Sequence, residues 1–233
     1  MRGHFAKILS VVALALVSQG CTTAIGPVGA LGPQAYQASR DVGGGLPAQM
    51  PLMASSQVPV GAPAGYLSFC VRFPDQCVAS PDAPSIVALT APEWLAMEEI
   101  NESVNRAIRP MDDQRHYGRA EYWNIPTDGY GDCEDYALTK RKELLAAGFP
   151  AQALRIAVVV TGQGDRHAVL MVTSDRGDFV LDNLTNEIRG WQTTGYQWIE
   201  RQNPADPRGW VALGPAMDPT YLASITKAPL GSL

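Results

Sequence analysis

No stretch of this 233-residue chain supplies the roughly 20 consecutive apolar residues that a membrane-spanning helix needs. Nor does any basic run interleaved with aromatics stand out. Lys and Arg number 18 against 23 Asp and Glu, a formal net charge of -5, so nucleic acid is not an expected partner. Cysteine is scarce as well. The four present are too few for a disulfide scaffold, and they lack the paired C-x2-C spacing of structural zinc. With 46% apolar and 18% charged residues, wholesale disorder, collagen and coiled coil are excluded, and a globular domain is left.

What is present is unevenly distributed. Arg2, His4 and Lys7 precede an apolar stretch, Ile8 to Val17, of signal-peptide length, and Ser18, Gln19 and Gly20 make a small-residue exit. Residues 1–20 therefore read as an export signal. Its removal leaves 16 basic against 23 acidic residues, a charge of -7, in an oxidising, periplasm-like compartment. Cys21 directly after Gly20 resembles a lipoprotein box, although Ser18 stands where Leu is usual. A lipid anchor through Cys21 and an ordinary cut nearby are both open. Thr22 to Gly65 holds 8 Gly and 6 Pro in 44 residues, charged only at Arg40 and Asp41, so residues 21–65 read as a flexible linker. Residues 66–213 are expected to form one domain, and 214–233 a loosely attached tail.

Within the domain, Cys70 and Cys77 flank a segment whose Pro74 and Asp75 favour a turn, and in an oxidising compartment they read as a local disulfide. Leu95, Met97, Ile100, Val104 and Ile108 recur at helical spacing over Glu93 to Ile108, after Pro92 and before Pro110. Arg109 to Tyr130 reads as a loop rich in Asp, Gly and aromatics, in which His116 has a structural role. Asp132 occupies an N-cap position, and Asp135 three residues on gives a variant capping box. That places Cys133 in the first turn of a helix running to about Ala147, where Gly148 and Pro150 stop it. Leu154 to Thr161, His167 to Thr173 and Asp178 to Asp182 are short strand-like runs in antiparallel succession. Helix followed by sheet implies an α+β domain.

A cysteine in a first helical turn has main-chain N–H groups and the positive end of the helix dipole beside it, which favours a thiolate. His167 begins one expected strand and Asp182 ends the next, so a hairpin can lay them side by side. Cys133, His167 and Asp182 then form an arrangement suited to acyl transfer.

The local sequence carries a resemblance. Gly131-Asp132-Cys133-Glu134-Asp135-Tyr136-Ala137-Leu138-Thr139-Lys140-Arg141, then His167-Ala168-Val169-Leu170 and Val180-Leu181-Asp182-Asn183, is similar to the bacterial transglutaminase-like cysteine proteinase family. Val104-Asn105, Tyr117-Gly118, Tyr122-Trp123 and Pro126 upstream, with Trp191 and Arg201-Gln202 downstream, extend the likeness over residues 66–205. It implies a papain-like, transglutaminase-like core in which a helix bearing the cysteine packs on an antiparallel sheet. Cys133 would be the nucleophile, His167 the general base and acid, and Asp182 the orienting carboxylate. Relatives are periplasmic, calcium-dependent proteases that clip large surface adhesins and are sequestered by a membrane receptor. The resemblance thereby implies a protein substrate in the cell envelope, an adhesin among the candidates, and an inhibitory membrane receptor. The Gly/Pro-rich linker, Cys21 and the Cys70/Cys77 pair set this chain apart from those relatives.

Charge raises a difficulty. A carboxylate about 7 Å from a thiolate repels it by about 2.4 kcal/mol at an effective dielectric near 20, while a helix terminus returns only about 0.3–1 kcal/mol. Either Asp132, Glu134 and Asp135 point away, or a cation neutralises them. In calcium-dependent relatives the acids flanking the cysteine bind the ion, and these three residues match them; carboxylate oxygens suit Ca2+. The competing reading has Asp132 and Asp135 capping the helix and Glu134 facing solvent. The Cys133 N–H is the natural first oxyanion donor, with Trp123 or Asn124 candidates to wall the cleft. Three functions follow: an exported cysteine endopeptidase, a transglutaminase-type amine acyl transferase, and a non-catalytic calcium-binding envelope module.

Overall fold

The computed structural model describes residues 45–54, 58–80 and 82–213. The expected export signal, Cys21 and the tail 214–233 lie outside the described residues. In chain order the elements are β1 (Pro59–Val60), α1 (Ala64–Arg72), α2 (Ala91–Ala107), β2 (Arg109–Pro110), α3 (Asp113–Tyr117), β3 (Tyr130–Gly131), α4 (Cys133–Ala146), β4 (Leu154–Val160), β5 (Arg166–Ser174), β6 (Gly177–Leu181), β7 (Arg189–Gly190), β8 (Gln197–Gln202) and β9 (Trp210–Ala212).

Local chemistry explains the two long helices. Thr90 and Glu93 form a reciprocal capping box at the start of α2, with Pro92 in the first turn, and the chain leaves the helix at Ile108. For α4 the bounds fall where Asp132 and the Gly148-Phe149-Pro150 segment put them, but Asp132 makes no side-chain cap bond. The expected loop from Arg109 to Tyr130 instead contains α3, begun by Asp112, whose Oδ1 accepts from Arg115 N–H at 3.0 Å. Parallel pairing of β2 with β3 then holds the chain on either side of this segment.

The strands assemble into one seven-stranded sheet in the order β1-β9-β8-β4-β5-β6-β7, every pairing antiparallel. β4, β5 and β6 are buried along their whole length because both faces are covered, which is why they read as apolar runs. Ile156, Val158, Leu170, Val172, Phe179 and Leu181 join the large core with the helices. Ala157, Val159, Val169, Met171 and Val180 face the other way, against Met53 and Leu213 and half-buried Trp191, Tyr196 and Trp198. With α4 packed on β5 and against α2, the domain is the expected α+β core with its cysteine-bearing helix on an antiparallel sheet. Cys70 and Cys77 are disulfide-bonded, S–S 2.06 Å.

The linker expectation fails for its last part. From Gly45 the described chain runs against the sheet: Met50 N–H donates to Arg176 O at 2.8 Å, and Trp191 Nε1 donates to Pro51 O at 2.9 Å. β1 pairs with β9, and α1 begins at Ala64. Composition misleads here because the segment is held by main-chain bonds and two methionines rather than by an apolar periodicity. The sheet makes room for it at Gly177, where φ is +123° and a Cβ would stand 2.5 Å from Met50 O. Its deepest anchor is ionic. Asp178 accepts from Met53 N–H at 2.6 Å and pairs with Arg155 at 3.6 Å and Arg201 at 3.8 Å, all with little solvent contact. Removing that carboxylate leaves two buried guanidiniums uncompensated. Asp178→Ala is expected to lower unfolding free energy by about 3–5 kcal/mol in urea titrations.

Candidate active site

Three strand and helix ends converge where β5 begins. Cys133 is the first residue of α4, and its Sγ accepts from the N–H of Ala168, the residue after His167, at 3.4 Å. β6 ends at Leu181 opposite Leu170, so one step further along the register Asp182 stands level with Val169. His167 is the next residue on that face of β5, a diagonal position from which side chains meet. Its Nε2 lies 2.8 Å from Asp182 Oδ1, while Nδ1 has no hydrogen-bond partner. Cys133, His167 and Asp182 are 3%, 0% and 3% exposed, so their charges act with little screening.

Asp182 is the most heavily held of the three. Oδ1 also accepts from Leu184 N–H at 3.0 Å, Oδ2 accepts from the Tyr196 hydroxyl, and its main-chain oxygen accepts from Asn105 Nδ2 at 2.9 Å. Burial alone would raise its pKa, but the imidazole, the Leu184 amide and the Tyr196 hydroxyl together bring it down to about 2. Tyr196 has no place in the spacing argument: it lies on a turn before β8, and nothing in its local sequence marks it.

The acids around the sulfur do not point away. Glu134 is fully buried and its Oε2 accepts from the Cys133 thiol at 3.2 Å. Burial, then Glu134, then Asp132, push that thiol well above its ordinary range. Nor does the capping alternative hold, because Asp132 makes no side-chain cap and Asp135 Oδ1 accepts from Asn124 N–H at 2.7 Å. Of the expected set Asp132, Glu134 and Asp135, the first two are joined by a residue from outside it. Asp113, Asp132 and Glu134 bring ligand oxygens within 4.8 Å of one another, and Asp135 falls outside that group. Asp113 comes from α3, brought in by the β2–β3 pairing, and sits beside Asp132 through its N–H at 3.3 Å from Oδ2. The Asp-rich loop was the available signal for it.

This cluster is costly without a cation. Burial, followed by the neighbouring Asp113, raises Asp132 to about 7, and burial and neighbouring acids raise Glu134 and Asp135 well above the carboxylate range. Asp113 Oδ1, Asp132 Oδ1, Glu134 Oε1 and Asp135 Oδ2 are buried without hydrogen-bond partners. Uncompensated hard oxygens at this spacing fit Ca2+. Gly131 permits the crowding, since a Cβ there would lie 2.6 Å from Asp135 Oδ2.

The remaining candidates resolve structurally. Trp123 is buried edge-on against Tyr66 and Trp210, with centroids 5.5 and 6.2 Å away, so its ring serves the core rather than a cleft. Asn124 Nδ2 donates to the Tyr117 hydroxyl at 3.1 Å. His116 Nε2 pairs with Asp128 Oδ2 at 2.7 Å and stacks on Tyr117, as its structural reading requires.

Cys133 opens a helix packed against an antiparallel sheet with its sulfur on the Ala168 amide, and His167, the residue before Ala168, is bonded to buried Asp182, a set of groups suited to thiol hydrolysis. The sequence model of the bacterial transglutaminase-like cysteine proteinases matches residues 56–218, and the chain belongs to that family. It is therefore a cysteine peptidase. No curated protein matches the sequence. Similar solved structures include LapG of Legionella pneumophila in calcium-bound form, at 23% identity over 57% of this chain and 78% of that one, TM-score 0.44. The EGTA-treated LapG is similar at 22% identity over 57% and 77%, with the same TM-score of 0.44.

One further buried charge lies on α4. Lys140 is 0% exposed and its Nζ has no hydrogen-bond partner. Burial lowers it from 10.5 to about 7, and the charge of Asp182 only partly opposes this. Between those values the unfolded chain binds the proton that the folded chain gives up, so this group's contribution to stability grows as pH rises from about 7 to 10.5. Lys140→Met removes that slope. Its stability advantage over wild type in urea titrations is expected to shrink steadily as pH is raised through this window.

Proposed function

We propose that the protein is an exported cysteine endopeptidase that cleaves a protein of the cell envelope through Cys133, His167 and Asp182. The observation that carries the reading is the buried His167–Asp182 bond beside the Ala168 amide that holds the sulfur. With Nε2 engaged by Asp182, His167 Nδ1 takes the thiol proton as Sγ attacks the peptide carbonyl carbon. The tetrahedral oxygen accepts from the Cys133 N–H at the helix start. Nδ1 then protonates the departing amine, and water, deprotonated by the same nitrogen, hydrolyses the thioester. Asp182 keeps the imidazole oriented and stabilises its cationic form without itself taking the proton.

Asp113, Asp132 and Glu134 would hold a calcium ion, with Asp135 behind them. When bound, it supplies positive charge beside the sulfur, where uncompensated carboxylates otherwise disfavour the thiolate. Export by residues 1–20 places the enzyme in the periplasm, with Cys21 a site of lipid anchorage. A large surface adhesin is the substrate class, and a sequestering membrane receptor the regulator, that the family likeness suggests.

Two outcomes check this reading. Comparing envelope proteins of wild-type and Cys133→Ala cells, a fragment is expected only where the thiol is present; incorporation of a labelled primary amine without cleavage would instead identify acyl transfer. Calcium is expected to raise the thermal midpoint, by the equivalent of about 2.7 kcal/mol at a hundredfold excess over Kd. Asp132→Asn should abolish that gain while stabilising the calcium-free protein, because it removes one of several mutually repelling buried acids.

A further inference from the structure

His167 and Asp182 come from adjacent strands, but a buried carboxylate bonded to an imidazole through one oxygen still has a rotation to settle. Its terminal torsion is broad, so the plane of the carboxylate can tilt away from Nε2 unless something holds it. In this protein something does. The hydroxyl of Tyr196 donates to Asp182 Oδ2, leaving Oδ1 to His167 Nε2 and Leu184 N–H. The Tyr196 ring stands edge-on to the imidazole, centroids 5.9 Å apart at 73°. Among the described residues, the imidazole and this hydroxyl are the side-chain groups hydrogen-bonded to that carboxylate.

The donor's chemistry matters. Arg189 on β7 and Lys140 on α4 are the cations whose fields reach Tyr196 and Asp182 respectively. Neither is hydrogen-bonded to the carboxylate. A neutral phenol at Oδ2 orients Asp182 without cancelling its charge, so the full anion remains to stabilise an imidazolium. Burial and the bond to Asp182 both raise the Tyr196 hydroxyl, which keeps it protonated and a donor. Tyr196 also leads into β8, which pairs with β4 and not with the strands of the pair it orients. The His–Asp geometry thus depends on a third stretch of chain.

Resting on the assignment of Cys133, His167 and Asp182 as the reacting set, we infer that Tyr196 is a positioning residue: its hydroxyl locks the rotation of Asp182 so that His167 carries its proton on Nε2 and presents Nδ1 to the sulfur, while its ring covers the imidazole edge.

The test uses the mature full-length chain in calcium-containing buffer with iodoacetamide as the probe of Cys133, for wild type, Tyr196→Phe, Asp182→Asn and the double variant. Tyr196→Phe keeps the ring and is expected to lower the second-order alkylation rate about 10-fold, the low end of what losing an orienting contact costs. In the Asp182→Asn background the same change should cost less than about twofold, because it acts through that carboxylate. Histidine-selective nitrogen NMR should show His167 protonated at Nε2 in the wild type, and a faster-exchanging or mixed tautomer in Tyr196→Phe. Wild-type alkylation by Tyr196→Phe, or effects of the two changes that multiply, overturns the inference. An Nδ1–H tautomer in neutral wild-type His167 overturns it without any variant. The underlying assignment fails differently: the wild-type thiol would then react no faster than in His167→Gln.

Discussion

A single sulfur surrounded by buried carboxylates is the constraint around which this protein is arranged. Glu134 accepts from the thiol, Asp132 shares one acidic cluster with it, and Asp113 is delivered to the same place from a different element. Burying several acids together is unfavourable unless they are neutralised, by protons or by a cation. Without a cation the cluster holds its protons and so does the thiol, an arrangement ill-suited to nucleophilic attack. The same acids that oppose the thiolate are therefore the means by which calcium could promote it.

On the imidazole side the polarity is reversed. Asp182 is as buried as the sulfur yet is held as an anion, because hydrogen-bond donors converge on it from three stretches of chain. Two contrasting carboxylate environments thus occur in one domain. One crowds several acids around few donors and protonates; the other gathers three donors on a single carboxylate and does not. Their separation follows from the fold: the crowded group lies where α3 meets the start of α4, and the donor-rich group at the end of β6. Across the sheet, the Asp178 network shows a third solution, in which guanidiniums compensate a buried acid and tie the incoming chain to the domain.

The legible parts of the fold are those with local causes. α2 announces itself by periodicity and a capping pair, β4 to β6 by continuous apolar runs, and the Cys70–Cys77 bridge by a turn between two cysteines. β1 and the preceding strap around Met50 were hidden in a Gly/Pro-rich region whose order comes from main-chain bonds to the sheet, a long-range cause that composition does not record. α4 was legible in its bounds but not in its environment. Its first turn looks like a solvated acidic cap, and the residues there are instead buried against the sheet and α2.

By itself, the sequence determined which atoms could react: the motif around Cys133, with His167 and Asp182 at strand ends, specifies a thiol, an imidazole and a carboxylate in an α+β frame. Tertiary structure decided which neighbours act on them. It brought Asp113 into the acid cluster, turned Asp135 toward Asn124, placed Tyr196 on Asp182 and enclosed Lys140 beneath the site. The reason is physical. Identity and short-range spacing are properties of contiguous chain, whereas burial and through-space charge depend on segments that meet only when β2 pairs with β3 and β8 joins the sheet.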